Sequence, residues 1–315
     1  MTTVLAIDFG GTQTRAAVVN AQGELLSRAR ADTPTHAGPD ACIAVLLDTI
    51  HKALAGADGA APRVAGLCAP GPLNPRTGVL YSTPNMRGWV NVPLTQRLSD
   101  ALGIPCHAGN DANLAALGEW KFGAGRGCSD IVYLTVSTGI GGGVISGGKL
   151  VDGKRGLAVE AGHMILEPHG PPCGCGSFGC LEAFASGPSI ARAMEAQLAR
   201  GEKSALSEQR GQLTGRMVAE AARDGDQLAA EVFLRAMTYL GLGCATLINL
   251  FNPEKIIIGG GVSNAGALLF DPVRAVALKR CMPELGKGVE IVSAGLRDNV
   301  GLLGAAAYAF EKLGA

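Results

Sequence analysis

The sequence lacks the features that mark secreted, membrane-spanning or nucleic-acid-binding chains. Its 315 residues include 27 basic and 27 acidic side chains, so the formal net charge is zero. It has no basic run or stripe, which argues against binding to nucleic acid or to an anionic membrane. No apolar stretch reaches the roughly 20 residues that cross a bilayer, and the N-terminus meets Asp8 too early for a signal peptide. We therefore expect a cytoplasmic protein with reduced thiols.

The sequence also lacks the GxxxxGKS/T motif of P-loop enzymes. The pattern GxGxxG does occur, at 174–179, but no predicted strand precedes it, so it does not indicate a Rossmann fold. Glycine is abundant: the chain has 46 of them, about twice the usual share of about 7%. The chain is long enough for two domains, and its glycine clusters suggest where ligands approach the backbone.

Three of the nine cysteines lie within eight positions of one another. Cys173, Cys175 and Cys180 follow the pattern C-x-C-x4-C, and His163 lies ten residues before the first of them. Three thiolates and one imidazole fit a tetrahedral zinc site. His169 is the alternative imidazole ligand. A disulfide with one free thiol and a chance cluster of structural cysteines are the alternatives to a metal.

Two carboxylates flank this cysteine segment, Glu160 at its start and Glu182 at its end. If a metal pins the segment together, both carboxylates and His163 would face one small volume. The segment therefore predicts a polar pocket for a polar ligand.

A glycine-rich hairpin is predicted near the N-terminus. Residues 3–9 form a buried apolar run that ends in a polar tip, and a returning strand follows from Thr14. Glycines in such a turn let a phosphate approach backbone N–H groups. The candidate residues for a phosphate and its metal are Asp8, Gly10, Gly11, Thr12 and Thr14. An ordinary hairpin is the alternative.

The same design recurs in the second half of the chain. A strand at 130–137 leads into a turn with Thr138, Gly139 and Gly141, and a second strand follows. Two similar hairpins predict two related α/β domains that grip a phosphate chain from both sides. A further turn with Gly260 and Gly261 follows a strand at 254–258. It predicts either the approach of a nucleotide base or ribose, or a close-packed turn.

Polar residues cluster where a short strand at 104–108 gives way to a helix that runs to about residue 122. Asn110 and Asp111 lie at this junction, a usual place for active-site residues in α/β proteins. The alternative role for Asp111 is a helix N-cap. Asn85 and Trp89 are candidates for a pocket rim, with a plain turn as the alternative.

Several motifs resemble those of the ROK family (repressor, open reading frame, kinase), within the superfamily of actin, Hsp70 and sugar kinases. They are DFGGTQT at 8–14, STGIGGG at 137–143, IGGGVS at 258–263, and EAGH at 160–163 followed by CGCGSFGCLE at 173–182. The resemblance implies an α/β fold of two actin-like, ribonuclease H-like ATPase domains, with helices flanking mixed sheets around a cleft. The smaller domain is expected at 1–111 plus 299–315, and the larger one, with the zinc site, at 112–298.

The resemblance implies an ATP-dependent hexose kinase that uses Mg²⁺ and a structural Zn²⁺, with Asp111 as the catalytic base. The implied zinc ligands are His163, Cys173, Cys175 and Cys180. The implied contacts to sugar hydroxyls come from Gly71, Asn85, Asn110, Asp111, Glu160, His163 and Glu182. The implied nucleotide contacts come from the two hairpins and from the turn at Gly260 and Gly261.

The spacing between His163 and Cys173 resembles that of bacterial glucokinases more than that of N-acetylhexosamine kinases, so the expected substrate is glucose. N-acetylmannosamine, N-acetylglucosamine, fructose, mannose and allose are alternatives. A sugar-responsive repressor is the non-enzyme alternative, but such repressors carry a helix-turn-helix domain before the first hairpin. A sugar-independent ATPase is a third possibility. The resemblance also implies a homodimer or homotetramer, and family members often have Ile, Leu or Phe where Ala161 stands.

Overall fold

Two mixed five-stranded sheets organise the chain, one in each of two compact units. The computed structural model describes residues 2–82, 86 and 88–314. Unit 1 comprises Met1–Gly127, Leu150–Ala158 and Gly295–Ala315, and unit 2 comprises Cys128–Lys149 and Val159–Ala294. Residues 112–127, 150–158 and 295–298, which are expected in the larger domain from the sequence, belong to unit 1. The helix that begins at Asp111 joins unit 1 because it packs on the C-terminal helix.

The strands follow the apolar runs and glycine turns of the sequence. In chain order they are β1 (Thr3–Phe9), β2 (Gln13–Asn20), β3 (Leu25–Asp32), β4 (Ala65–Ala69), β5 (Leu73–Asn74), β6 (Val79–Ser82), β7 (Val90–Pro93), β8 (Cys106–Asn110), β9 (Ile131–Val136), β10 (Ile140–Ser146), β11 (Lys149–Leu150), β12 (Lys255–Gly259) and β13 (Glu290–Ser293).

Helices occupy most of the chain between these strands. They are α1 (Pro39–Ala55), α2 (Leu94–Leu102), α3 (Asp111–Phe122), α4 (Leu181–Ala185), α5 (Gly187–Ala199), α6 (Gly215–Arg223), α7 (Gln227–Phe251), α8 (Ala267–Arg280), α9 (Pro283–Gly286) and α10 (Val300–Leu313). Short 3-10 helices lie at Ala161–His163, Ser207–Gln209, Gly261–Ala265 and Arg297–Asn299.

The two sheets have the same topology. The sheet of unit 1 has the order β3-β2-β1-β4-β8, and the sheet of unit 2 has the order β11-β10-β9-β12-β13. In each, an antiparallel hairpin lies beside two further strands that run parallel to its first strand. The predicted repeat of two related α/β halves is therefore confirmed.

The C-terminal helix α10 packs in the core of unit 1, against α3 and the strands β1 and β4. Glycines allow this close packing. A Cβ on Gly66 would lie 2.0 Å from the carbonyl oxygen of Ala305, and one on Gly304 would lie 2.2 Å from that of Leu114. Helix α3, which begins at Asp111, is thereby fixed against α10.

One helix in the described part of the chain, α7, is long and apolar enough to cross a bilayer by length and composition. This differs from the expectation that no apolar stretch is long enough to cross a bilayer. Its most apolar window is 61% buried inside the protein, and it packs against α4, α6 and α8. Helix α7 is thus a core helix of unit 2.

Candidate active site

The first hairpin turn, between β1 and β2, is braced by a second loop. The backbone N–H of Gly10 donates to the carbonyl oxygen of Gln13 at 3.0 Å. The hydroxyl of Thr33 donates to the carbonyl of Gly10 at 2.7 Å, and its N–H donates to the carbonyl of Thr12 at 2.9 Å. A Cβ on Gly11 would meet no atom within 4 Å, so the tip of this turn faces open space.

Thr14 differs from the other residues predicted to bind phosphate at this hairpin. It lies within β2, it is 1% exposed, and its hydroxyl has no hydrogen-bond partner in the protein. A buried hydroxyl without a partner is costly. Thr14 therefore lies beneath the turn, whereas Thr12 lies at its exposed tip.

Asp8 is the next-to-last residue of β1 and is held by neighbours that the sequence motifs do not reveal. Its carboxylate forms an ion pair with Arg15, and the Arg15 guanidinium also donates to the carbonyl of Asp298 at 2.5 Å. Burial raises the pKa of Asp8, while the charge of Arg15 and a hydrogen bond with Cys68 oppose that rise. The strand register places Asp8 opposite both Arg15 and Cys68, which residue types alone do not reveal.

Cys68 links this carboxylate to the predicted base. Its thiol is fully buried on β4, and burial raises its pKa well above the ordinary value. The charges of Asp8 and Asp111 raise it further, so both carboxylates lie near this thiol. Cys68 pairs in register with Asp8 on one side and with Gly109 on the other. The carboxyl ends of three parallel strands of unit 1 therefore bring Asp8 and Asp111 to one edge of the sheet.

Asn110, not Asp111, caps helix α3. The side-chain oxygen of Asn110 accepts from the N–H groups of Ala112 at 2.9 Å and Asn113 at 3.4 Å. The alternative role of Asp111 as N-cap is therefore wrong. Asp111 is the first residue of the helix, its side chain is exposed, and its Oδ1 accepts from the N–H of Ala112 at 2.8 Å. The positive end of the helix dipole favours a carboxylate there.

Gly71 and Trp89 complete the sugar-site candidates of unit 1. A Cβ on Gly71 would lie 3.4 Å from Nδ2 of Asn110, so this loop runs directly beside the cap residue. Trp89 is 2% exposed and packs at 5.1 Å, centroid to centroid, on Phe9. Its interpretation as a pocket-rim residue is wrong, since it belongs to the core. Asn85 lies outside the described residues.

The second hairpin, between β9 and β10, is tied to the segment that follows the cysteines. The N–H of Ser137 donates to the carbonyl of Gly139 at 2.8 Å, and the N–H of Gly187 donates to the carbonyl of Ser137 at 2.8 Å. The N–H of Ile140 donates to Oε2 of Glu182 at 2.9 Å. Thr138 is exposed at the tip of the turn, and Gly141 pairs with Thr135 in the sheet.

The third glycine turn combines a close-packed residue, Gly260, with one that borders a cavity, Gly261. Gly260 has φ +85°, and a Cβ there would lie 2.4 Å from the carbonyl oxygen of Val136, so it forms a close-packed turn. Gly261 instead lines a cavity of about 310 Å³, together with Val262, Ala219 and Arg223. This volume is at the lower limit of small-molecule sites.

The cysteine segment forms one tetrad of candidate metal ligands. The Sγ atoms of Cys173, Cys175 and Cys180 and a ring nitrogen of His163 all lie within 4.8 Å of one another. Cys175 and Cys180 are 3.8 Å apart, sulfur to sulfur, and Cys173 lies 3.7 Å from Nδ1 of His163. A tetrahedral zinc with bonds of 2.3 Å to sulfur separates its ligand atoms by about 3.8 Å. The residues therefore fit zinc, whereas the exposed His169 is not part of the tetrad.

The electrostatics of the tetrad differ between its buried and exposed thiols. Burial raises the pKa of Cys180 to about 12. A backbone hydrogen bond from Ser177 and the neighbouring thiols lower the pKa of the exposed Cys175. None of the nine cysteines, all of which lie within the described residues, forms a disulfide bond.

The carboxylates that flank the tetrad lie at different positions relative to it. Glu160 precedes the 3-10 turn Ala161–His163, and its carbonyl accepts from the N–H of His163 at 3.0 Å. Oε1 of Glu182 lies 3.9 Å from Sγ of Cys173. Ala161 is 3% exposed and packs tightly on β10. A Cβ on Gly142 of that strand would lie 2.8 Å from the Cβ of Ala161. Unit 2 thus brings His163, Glu182 and the second hairpin together.

Comparisons with known proteins identify the family. The ROK family pattern matches residues 4–312. A glucokinase of Thermotoga maritima is 37% identical over 314 residues, which cover 99% of this chain and 98% of that protein. An N-acetylmannosamine kinase of Escherichia fergusonii is 34% identical over 98% of each chain. The chain therefore belongs to the ROK family.

Solved structures agree with this assignment. The crystal structure of a ROK hexokinase from Thermus thermophilus is similar with a TM-score of 0.86 and 35% identity, over 99% of each chain. A ROK family glucokinase from Streptomyces griseus, in complex with glucose and AMPPNP, has a TM-score of 0.77 and 35% identity, over 98% of this chain and 99% of that one. The expected actin-like, ribonuclease H-like α/β fold is confirmed.

Proposed function

We propose that this ROK-family protein is an ATP-dependent sugar kinase that phosphorylates the 6-hydroxyl of a hexose, with glucose as its preferred substrate. The observation that carries the proposal is the position of Asp111. Its exposed carboxylate follows the cap residue Asn110 and lies at the same edge of the sheet as Asp8 and the first glycine hairpin. Glucose is favoured by the 37% identical glucokinase and by the short spacing between His163 and Cys173.

In the proposed reaction, Asp111 accepts the proton of the 6-hydroxyl as that oxygen attacks the γ-phosphate of ATP. Phosphoryl transfer has a loose transition state, so positioning and charge neutralisation supply most of the rate. Asp8 would hold the magnesium of Mg·ATP through water, and Arg15 keeps this carboxylate oriented. Gly10, Gly11 and Thr12 in one hairpin and Thr138, Gly139 and Gly141 in the other would bind the phosphates.

The remaining site residues have supporting roles in the proposal. Gly71, Asn85, Asn110, Glu160, His163 and Glu182 would bind sugar hydroxyls. Gly260 and Gly261 would border the adenosine. Zinc held by His163, Cys173, Cys175 and Cys180 would be structural, because four protein ligands leave no open position. It would fix the ring of His163 and the segment that leads to Glu182.

The nearest alternative is a kinase for N-acetylmannosamine or N-acetylglucosamine, or a fructokinase, since an N-acetylmannosamine kinase is almost as similar to this chain as the glucokinase. We further propose that the protein works in the cytoplasm as a homodimer or homotetramer. A sugar-responsive repressor remains the non-enzyme alternative.

Product identification tests the proposed reaction. The protein is incubated with Mg·ATP and glucose, and the products are resolved by phosphorus NMR. We expect one sugar product with a phosphomonoester at the 6-position and one equivalent of ADP. Free phosphate with unchanged glucose would show a sugar-independent ATPase instead, and absence of any ATP turnover with all sugars would favour a binding protein.

A further inference from the structure

Glu182 makes a contact that a sugar-binding role does not explain. Its Oε2 accepts a hydrogen bond of 2.9 Å from the backbone N–H of Ile140, in the second glycine hairpin. A Cβ on Gly139 would lie only 2.5 Å from this same oxygen. The turn that precedes Ile140 therefore has just enough room for the carboxylate, and only because residue 139 has no side chain.

The other oxygen of Glu182 faces the metal-ligand tetrad. Oε1 lies 3.9 Å from Sγ of Cys173, which in turn lies 3.7 Å from Nδ1 of His163. One carboxylate thus lies between the hairpin and the tetrad. Its position is fixed by the short helix α4, whose preceding residue Cys180 is itself a member of the tetrad.

A second connection fixes the other side of the same turn. The N–H of Gly187 donates to the carbonyl of Ser137 at 2.8 Å. The hydroxyl of Ser189 donates to the carbonyl of Glu182 at 2.7 Å, which holds the two ends of this connecting segment together. Both bonds to the turn therefore come from residues 182–187, directly after the last cysteine.

We propose that Glu182 is a positioning residue for the second phosphate hairpin, and that it couples nucleotide binding to the integrity of the metal-ligand tetrad. This inference rests on the proposed function, because it assumes that the hairpin binds the phosphates of ATP. A turn held by a charge-assisted hydrogen bond keeps its N–H groups oriented before the nucleotide arrives. Loss of that bond weakens nucleotide binding, although Glu182 itself need not touch the nucleotide.

Three substitutions at Glu182 separate reach, charge and hydrogen bonding. Glu182→Gln keeps the side-chain length and one acceptor oxygen but removes the charge. Glu182→Asp keeps the charge but is one methylene shorter. Glu182→Ala removes the charge and the acceptor oxygens. We expect the Asp and Ala variants to raise the Kd for Mg·ADP about tenfold or more, measured by calorimetry without sugar, and Gln to stay within about threefold. The matched control is Glu167→Ala, which removes an exposed carboxylate of the same segment.

Gly139→Ala tests the same contact from the hairpin side, because its methyl group would displace the carboxylate. When Gly139→Ala is combined with Glu182→Ala, it should add little further loss of ADP affinity, because both substitutions remove the same interaction. Additive losses would contradict the proposal. Removal of zinc with a chelator should weaken ADP binding in the parent protein and change it less in the Glu182→Ala variant.

A plain sugar-contact role for Glu182 predicts a different result. In that case the Asp and Ala variants would raise the KM for glucose and leave the Kd for ADP unchanged, which would overturn the inference while the kinase function stands. Conversely, a protein that turns over no sugar, yet loses ADP affinity in these variants, would overturn the kinase function and keep the inference. Circular dichroism establishes which variants fold, and Glu182→Gln and Gly139→Ala remain informative if Glu182→Ala does not.

Discussion

At the scale of single residues, the proposed role of Asp111 as general base can be separated from the capping of its helix. It lies at the carboxyl end of a parallel strand, is exposed, and starts a helix whose cap is supplied by its neighbour Asn110. We therefore expect the capping bonds from Asn110 to survive substitution of Asp111. This separation makes its proposed chemical role testable without loss of the fold.

Asp111→Asn should lower kcat by roughly a thousandfold and leave the Kd for glucose within a few-fold, because general-base catalysis typically contributes factors of this size. Steady-state kinetics and calorimetry measure the two quantities. The control is Asp48→Asn, at an exposed carboxylate of α1 that pairs with Lys52. Retention of more than a tenth of the parent kcat would remove Asp111 from the role of base.

His107, on the strand that leads to Asp111, predicts a pH dependence of stability. Burial and the charge of Lys312 lower its pKa below the ordinary value of 6.5. As the solution is acidified through that value, the unfolded chain takes up a proton that the folded protein does not. The free energy of unfolding therefore decreases as the pH is lowered through this window.

Urea unfolding at pH 7.5 and pH 5.5 measures this contribution. The parent protein should lose more stability on acidification than the His107→Gln variant does. His51→Gln, at an exposed histidine of α1, is the control and should behave as the parent. Equal losses in the parent and in His107→Gln would show that this histidine does not titrate differently on folding.

Residue identities predicted the candidate site only in part. Side-chain chemistry and position after a strand pointed to Asp8, Asp111 and the cysteine tetrad. Which of Asn110 and Asp111 caps the helix could not be predicted, since both side chains can accept the same N–H groups. The pairing of Asp8 with Arg15 and Cys68 depends on strand register, which is set by the whole sheet.

At the scale of elements, the packing of α3 on α10 holds Asp111 in place, and it depends on glycine. A Cβ on Gly118 would lie 2.8 Å from the backbone nitrogen of Gly304, and one on Gly304 would lie 2.2 Å from the carbonyl oxygen of Leu114. Backbone atoms cannot rotate away as side chains do. The two helices would have to move apart to admit even one methyl group.

Gly304→Ala should lower the free energy of unfolding by about 1–3 kcal/mol, although alanine favours helices over glycine by about 1 kcal/mol. Denaturant unfolding measures the change. Gly56→Ala is the control, because a Cβ there would have its nearest neighbour at 3.5 Å, and we expect a change within about 0.5 kcal/mol. A stabilised Gly304→Ala protein would contradict the helix contact.

The cysteine segment is the second element whose role can be measured directly. Cys175→Ser removes the exposed member of the candidate metal-ligand tetrad. The zinc content should fall from about one ion per chain to a small fraction, and the Tm should fall with it, because metal binding stabilises the folded segment. Elemental analysis and calorimetry measure both, with Cys128→Ser as the control.

A parent protein that is purified without zinc, and that keeps its Tm and activity in the presence of a chelator, would show that the four residues hold no structural metal. The arrangement of thiols would then serve packing alone.

Long apolar elements were predicted well and short ones were missed. Strands β1, β9 and β12 have continuous apolar runs. The small sheet of β5, β6 and β7 consists of strands of two to four residues, too short for a period to show. Helix α2 begins after Pro93 without a side-chain cap, so the usual start signal is absent.

At the scale of the whole molecule, each unit contains the same motif, a glycine turn between two antiparallel strands that lie beside parallel strands. The sequence repeat predicted this duplication, because both hairpins have the same order of apolar run, Gly/Thr turn and second strand. Substrate choice could not be predicted in the same way, since hydroxyl selectivity depends on sub-ångström placement of a few polar groups. It requires measurement.

The most direct test of the account is kcat/KM for ATP-dependent phosphorylation of glucose, N-acetylmannosamine, N-acetylglucosamine, mannose and fructose, measured side by side by ADP release. We expect glucose to exceed each other sugar by about tenfold or more, a discrimination of roughly 1.4 kcal/mol that a few hydroxyl contacts supply. Preference for an N-acetylated sugar would contradict the proposed substrate. ADP release that no sugar stimulates would contradict the proposed kinase itself.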